Sequence, residues 1–227
     1  PRTAYASSYL EAYHPAAVTC AMLNNYPMGF YHPSTLVNDA ARHGVTTLPI
    51  DVAHSTWLCD LEAAPPNTKT NVQPRIRLGL KYVTGLREQV GRRIEQARAD
   101  RPFSSLADFE ARVAPHATEL AKLATVGAFT SLGGTRRQAL WQVEALGRSG
   151  RLFAGVDLPG GDDASPLPET SPHDEMLADF QGTGLSTGAH PMSFVRERLR
   201  HHAVVTAAQV LGVPHGRGAA GVGIRHA

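Results

Sequence analysis

Residues 80–94 hold the pattern best suited to gripping a phosphate: Leu80-Lys81-Tyr82-Val83-Thr84-Gly85-Leu86-Arg87-Glu88-Gln89-Val90-Gly91-Arg92-Arg93-Ile94. Leu80 and Val83 end a short helical turn, Gly85 and Leu86 make a tight hairpin, and Val90 and Ile94 stripe the next helix. A hairpin glycine lets backbone N–H groups approach an anion with no Cβ in the way. The helix that follows aims its positive N-terminal end at the same place. Lys81, Arg87, Arg92 and Arg93 add charge for neighbouring phosphates. Such a site holds a nucleic-acid backbone without reading bases. Many hairpins of this kind carry a second glycine where Arg87 stands, and on the residues alone a plain αα-corner fits as well.

A second unit follows. Leu120, Leu123 and Val126 form an apolar stripe, Gly127-Ala128-Phe129 turns, and Thr135-Arg136-Arg137 opens another helix toward Trp141 and Leu146. Arg136 and Arg137 in a first turn oppose the helix dipole unless an anion lies nearby; projection of both into water is the alternative.

These units need a scaffold. With 227 residues, 42% hydrophobic and 19% charged, the chain can bury a core as one large domain or two small ones. Net charge is only +2, but its distribution is uneven. Residues 72–101 are rich in arginine, whereas residues 157–180 carry Asp157, Asp162, Asp163, Glu169, Asp174, Glu175 and Asp179 with no Lys or Arg. This suggests a phosphate-facing segment and a solvated tether. Cys20 and Cys59 are too few and too far apart for a disulfide framework or a paired-cysteine metal site. No apolar run is long enough to span a membrane, and no signal core opens the chain. The chain therefore reads as cytoplasmic and as beginning inside a longer protein.

The expected fold class is mainly α with minor β. A helix pair covers residues 3–25, broken at His14-Pro15, and Ser34 caps a helix over Thr35–His43. Short strands are expected over Val45–Val52 and Trp57–Leu61. Further helices are expected over Val90–Ala99, Leu106–Val113, Ala117–Thr125, Thr135–Leu146 (stopped by Gly147), Asp174–Phe180 and Ser193–Arg200, with Ser105 and Thr135 as N-caps. Gly218–Ile224 reads as the start of a strand.

Several ordered motifs then resemble bacterial DNA polymerase III alpha subunits of the error-prone branch. They are His14-Pro15-Ala16-Ala17, Pro27-Met28-Gly29-Phe30-Tyr31, Ala40-Ala41-Arg42-His43-Gly44-Val45, Pro49-Ile50-Asp51-Val52, Arg77-Leu78-Gly79-Leu80, Arg136-Arg137-Gln138-Ala139-Leu140-Trp141, Thr183-Gly184-Leu185-Ser186 and Ala189-His190-Pro191-Met192. The resemblance implies the end of a polymerase fingers region over 1–62, a linker over 63–74, and a tandem helix-hairpin-helix DNA-binding region over 75–147. A flexible acidic linker over 148–172 and a lead-in to a truncated oligonucleotide-binding fold over 173–227 would follow.

The resemblance further implies a DNA-directed DNA polymerase, a nucleotidyltransferase, in damage-tolerant synthesis. Primer-template DNA would be bound by Lys81, Gly85, Leu86, Arg87, Arg92, Arg93, Arg136 and Arg137, with accessory damage-tolerance proteins as partners and no membrane. The family's catalytic aspartates lie in a palm upstream of this region. Two-metal transfer needs converging carboxylates, and this chain has no Asp-x-Asp. Asp162-Asp163 falls in a Gly/Pro stretch, and Asp51 has no evident companion. No catalytic residue, metal ligand or cofactor is therefore assigned to this chain; Mg²⁺ is implied for the parent polymerase alone. Ser149-Gly150-Arg151-Leu152-Phe153 lacks the glutamine of the replicative relatives' clamp motif. Two other readings are a stand-alone helix-hairpin-helix module and a hairpin-containing glycosylase with Asp100 or Asp108 placed for catalysis.

Overall fold

The computed structural model describes residues 2–29, 31–64, 73–148, 170–200, 204, 205 and 212. It is mostly helical with one small sheet, as the apolar spacing requires. Helix α1 (Arg2–Tyr13) buries nothing, and Tyr5, Tyr9 and Tyr13 lie against one another along one face. Helix α2 (Pro15–Asn24) begins at a proline, whose missing N–H costs nothing in a first turn. It buries Ala16, Thr19, Cys20 and Leu23.

Helix α3 (Pro33–Arg42) starts two residues earlier than its sequence suggests. His32, not Ser34, is the N-cap: its ring nitrogen accepts the Ser34 N–H. Pro33 can then occupy the first helical position.

The sheet has the order β1–β3–β2. Strand β1 (Thr47–Leu48) pairs in parallel with β3 (Arg75–Arg77), and β2 (Asp60–Glu62) pairs antiparallel with β3. Both expected strands are thus shorter or displaced. Pro49 has no N–H to offer a ladder, and Asp51 turns the chain by accepting the Ala53 N–H at 2.8 Å. Fully buried Ile76 pairs with Thr47 on one side and Leu61 on the other. Residues from 1–62 and from 75–147 therefore share one sheet and one hydrophobic core, which runs from Ala16 to Leu185.

A side-chain clasp strengthens this junction. Asn24 donates to Cys59 O at 2.9 Å and accepts the Cys59 N–H at 2.7 Å, a ladder-like pair between the end of α2 and the residue before β2. Gly79 lies against the backbone of residues 57–59, where a Cβ would overlap Trp57 O and Leu58 C. This close approach lets Leu80 and Lys81 donate to Thr56 O and Trp57 O.

The hairpin region stacks α4 (Glu88–Asp100), α5 (Leu106–Val113), α6 (Ala117–Thr125) and α7 (Arg136–Arg148). Helices α5 and α6 keep the boundaries their sequence predicts, and Ser105 caps α5 by accepting the Asp108 N–H at 3.1 Å. Thr135 and Gln138 form a reciprocal capping box at α7, which continues through Gly147 to Arg148. Phe109, with no exposure, meets Phe103 and Phe129 edge-on, each with ring centroids 5.0 Å away. Gly91 lies against the indole of Trp57.

Helix α8 (Pro172–Thr183) completes the first compact unit, Pro1–Thr187. It is capped by Ser171 and ends at Gly184 in the left-handed region. A second unit, Gly188–Ala227, contains α9 (Pro191–Arg200). Residues 149–169 of the linker expected over 148–172, with the Ser149–Phe153 stretch, Asp162-Asp163 and the strand expected over Gly218–Ile224, lie outside the described residues; Arg148 ends α7 and Pro172 starts α8.

Candidate nucleic-acid interface

The two hairpins share a backbone geometry. Gly85 and Gly127 have φ of 75° and 74°, a region L side chains rarely enter. In the first, the Leu86 N–H donates to Val83 O at 3.1 Å and closes the turn, while the Leu86 side chain is buried. In the second, Gly127 and Ala128 donate to Ala124 O and Leu123 O, a Schellman closure of α6. Among the described residues, the Gly85 N–H has no acceptor, and neither have the Glu88 and Gln89 N–H groups at the start of α4.

The cations expected to face DNA divide into two groups. Lys81 points inward: its Nζ donates to Asn24 O at 2.8 Å and Leu23 O at 3.5 Å, neutralising the C-terminal carbonyls of α2. Arg136 is also turned in, only 13% exposed, with Nη2 2.8 Å from Asp179 and Nη1 donating to Glu175 O. Its position in the first turn of α7 thus has its nearby anion, and that anion is internal. Arg137 is half-buried and donates to Thr170 Oγ1 at 3.4 Å.

Arg87, Arg92 and Arg93 remain on the surface. Arg92 is bracketed by Glu88 at 3.3 Å and Glu95 at 3.2 Å. Among the described residues, Arg93 reaches only Ala114 O, at 3.4 Å. Arg87, half-exposed, is held by Glu119 through Nε and Nη2. With Glu88, Gln89 and Gln96, these three arginines line an open groove along α4.

Glu119 organises the first hairpin. Its side chain is 4% exposed and accepts from the Arg87 guanidinium, the Arg87 N–H and the His116 N–H. The Arg87 hydrogen bonds outweigh burial and pull its carboxyl down to about 2.

The sequence reading missed Lys122. It is exposed and stands directly over Gly85, where a Cβ would overlap its Nζ. Among the described residues Nζ has no acceptor. The signal was its position three residues after Glu119, which puts both on one edge of α6.

Helix α8 was expected only as a lead-in to the next domain, yet it lies across both hairpins. Gly182 O accepts the Thr84 N–H at 2.8 Å, and a Cβ at Gly182 would overlap Val126.

Among the described residues no three of His, Cys, Asp or Glu converge as a metal site. Asp51 accepts from Ser131 Oγ at 2.6 Å and from the Ala53 N–H. Asp108 is engaged by Arg101, Arg112 and the Ser104 N–H, a structural clasp at the start of α5. No described helix is long and apolar enough to cross a membrane.

Comparison with known proteins agrees with this geometry. The family model described as helix-hairpin-helix motif matches residues 44–139, which take in the sheet as well as both hairpins. An error-prone DNA polymerase of Azoarcus sp. (strain BH72) is 40% identical over 211 residues, 93% of this chain and 20% of the relative. One from Ralstonia nicotianae is 44% identical over 224 residues, 98% of this chain and 21% of the relative. One from Anaeromyxobacter dehalogenans (strain 2CP-C) is 44% identical over 215 residues, 92% of this chain and 19% of the relative. The chain thus spans about a fifth of the length of the curated relatives it matches. The resemblance to error-prone DNA polymerases read from the ordered motifs holds across nearly all of it.

Proposed function

We propose that this chain, similar over nearly its whole length to a segment of error-prone DNA polymerases, is a DNA-holding part of such an enzyme that grips primer-template DNA by its phosphates at the Gly85 hairpin. One observation carries the reading: a Lys122 ammonium with no acceptor among the described residues stands over a glycine turn, beside amides of Gly85, Glu88 and Gln89 that likewise have none there. A phosphate seated there meets a point charge, backbone donors and the positive end of α4 together. Arg93 is placed to reach a neighbouring phosphate. Arg92, already shared between two carboxylates, contributes less.

The remaining roles belong to the whole polymerase. We propose nucleotidyl transfer in damage-tolerant synthesis in the cytoplasm, with accessory damage-tolerance proteins as partners and with Mg²⁺ held by carboxylates outside this chain. By itself the chain should not extend a primer. A stand-alone hairpin module is the second reading; the likeness to polymerase outside both hairpins, in residues before 44, favours the first.

The test is a salt titration of primer-template binding. Lys122→Ala should weaken binding to all sequences alike and flatten the log–log slope by about one unit, the loss of one phosphate contact. Arg92→Ala should change it less than Arg93→Ala. Identical slopes for wild type and Lys122→Ala would remove the site.

A further inference from the structure

The two hairpins are alike in backbone but differ in what completes them. At each, a cationic nitrogen stands over the face of a glycine with φ near 75°. At the first it is Lys122 Nζ, with no anion among the described residues. At the second it is the guanidinium of Arg136, with Nε 2.9 Å and Nη2 3.0 Å from where a Gly127 Cβ would stand. That guanidinium already holds an anion: Asp179 Oδ1 lies 2.8 Å from Nη2.

Asp179 is supplied by α8, and α8 is fastened over the pair by several independent contacts. Gly182 O takes the Thr84 N–H of the first hairpin, Gly182 packs on Val126 of the second, and Glu175 O takes a second Arg136 donor. Asp179 Oδ2 is itself positioned by the Ser186 hydroxyl at 2.9 Å.

We propose that α8 is a built-in ligand of the second hairpin: the Asp179 carboxylate takes there the place that a DNA phosphate takes at the first. Arg136 is thereby withdrawn from DNA, and the tandem meets the backbone with one hairpin while α8 is docked. Undocking of α8 frees Arg136 as a latent phosphate site, so the extent of the DNA contact is set by a segment outside both hairpins. This rests on the reading of the first hairpin as a phosphate site.

The experiment uses the full 227-residue chain and a primer-template duplex, titrated with salt between 50 and 200 mM, with variants Lys122→Ala, Arg136→Ala, Asp179→Asn and the Arg136→Ala/Asp179→Asn pair. Asn keeps the size of Asp and an oxygen for Ser186, and amide exchange at Thr84 reports independently whether α8 stays docked. Arg136→Ala alone should leave the slope unchanged. Asp179→Asn should steepen it by about one unit, a three- to fourfold larger change in affinity across that salt range, and should speed Thr84 exchange. The double variant should return to the wild-type slope.

A flattened slope in Arg136→Ala comparable to that of Lys122→Ala would overturn the self-liganded hairpin and leave the first site standing. So would an unchanged slope in Asp179→Asn with faster Thr84 exchange, or unchanged Thr84 exchange in that variant. Absence of salt-dependent binding by the wild type would remove the first site itself, and this proposal with it.

Discussion

Glu119 binds Arg87 through both prongs of its guanidinium, Nε to Oε1 at 2.9 Å and Nη2 to Oε2 at 3.0 Å, and so joins α6 to the start of α4. The carboxylate also accepts the Arg87 N–H, one of the amides a helix start leaves unpaired. It is therefore a structural anion next to the place proposed for an external one. It orients the hairpin while the Gly85, Glu88 and Gln89 N–H groups keep no acceptor among the described residues.

This pair makes stability pH-dependent. The Glu119 carboxyl is lowered from 4.5 to about 2 in the folded chain, so the unfolded chain takes up a proton first as pH falls. The contribution is fully present above about pH 5 and disappears as pH falls from 4.5 toward 2. Glu119→Gln should cost roughly 2–3 kcal/mol at neutral pH. Denaturant unfolding of both proteins from pH 7 to pH 2 should show the gap closing at the acid end. A constant gap would mean that packing, not charge, holds the site.

The hairpin glycines should respond differently to the same change. Alanine at either position meets a left-handed cost of about 1–2 kcal/mol. At Gly85 the added methyl displaces only the free end of Lys122, so DNA affinity should fall with little further loss of stability. At Gly127 it presses on Arg136, which Asp179 and Glu175 O hold in place. Thermal melts should therefore rank Gly127→Ala below Gly85→Ala, and the reverse order would contradict the pinned arginine.

Gly91 offers a test of packing. In an exposed helix, glycine to alanine gains up to about 1 kcal/mol. Here a Cβ would overlap the Trp57 ring, so Gly91→Ala should instead destabilise by about 1–3 kcal/mol. In a Trp57→Leu background the same substitution should be near neutral. A double-mutant cycle by denaturant unfolding measures the coupling, and additivity would exclude the contact.

Phe109 should be the costliest single position. It is fully buried between Phe103 and Phe129. Phe109→Ala should lose about 3–5 kcal/mol, seen as a lower denaturant midpoint. A loss below about 1 kcal/mol would place the core elsewhere.

Local physics made much of this protein legible from sequence. Helices α5 and α6 appear where apolar spacing, and for α5 the Ser105 cap, put them, because both signals act within one or two turns. The turns at Gly85 and Gly127 were legible for the same reason, and both glycines make them at positive φ, which glycine enters without the Cβ clash. The ordered motifs likewise pointed to a polymerase segment. What sequence could not decide was which cations are free. Lys81 and Arg87 both flank the first hairpin, yet Lys81 is drawn to carbonyls of α2 some 57 residues away while Arg87 stays at the surface on Glu119. Arg136 and Arg137 begin one helix, yet Arg136 is claimed by α8. Lys122 carries no mark in the sequence beyond its spacing from Glu119, and only the packing of α6 sets it over Gly85. An ion pair depends on distance in space and on the solvent excluded around it, and both are fixed only when distant segments pack together.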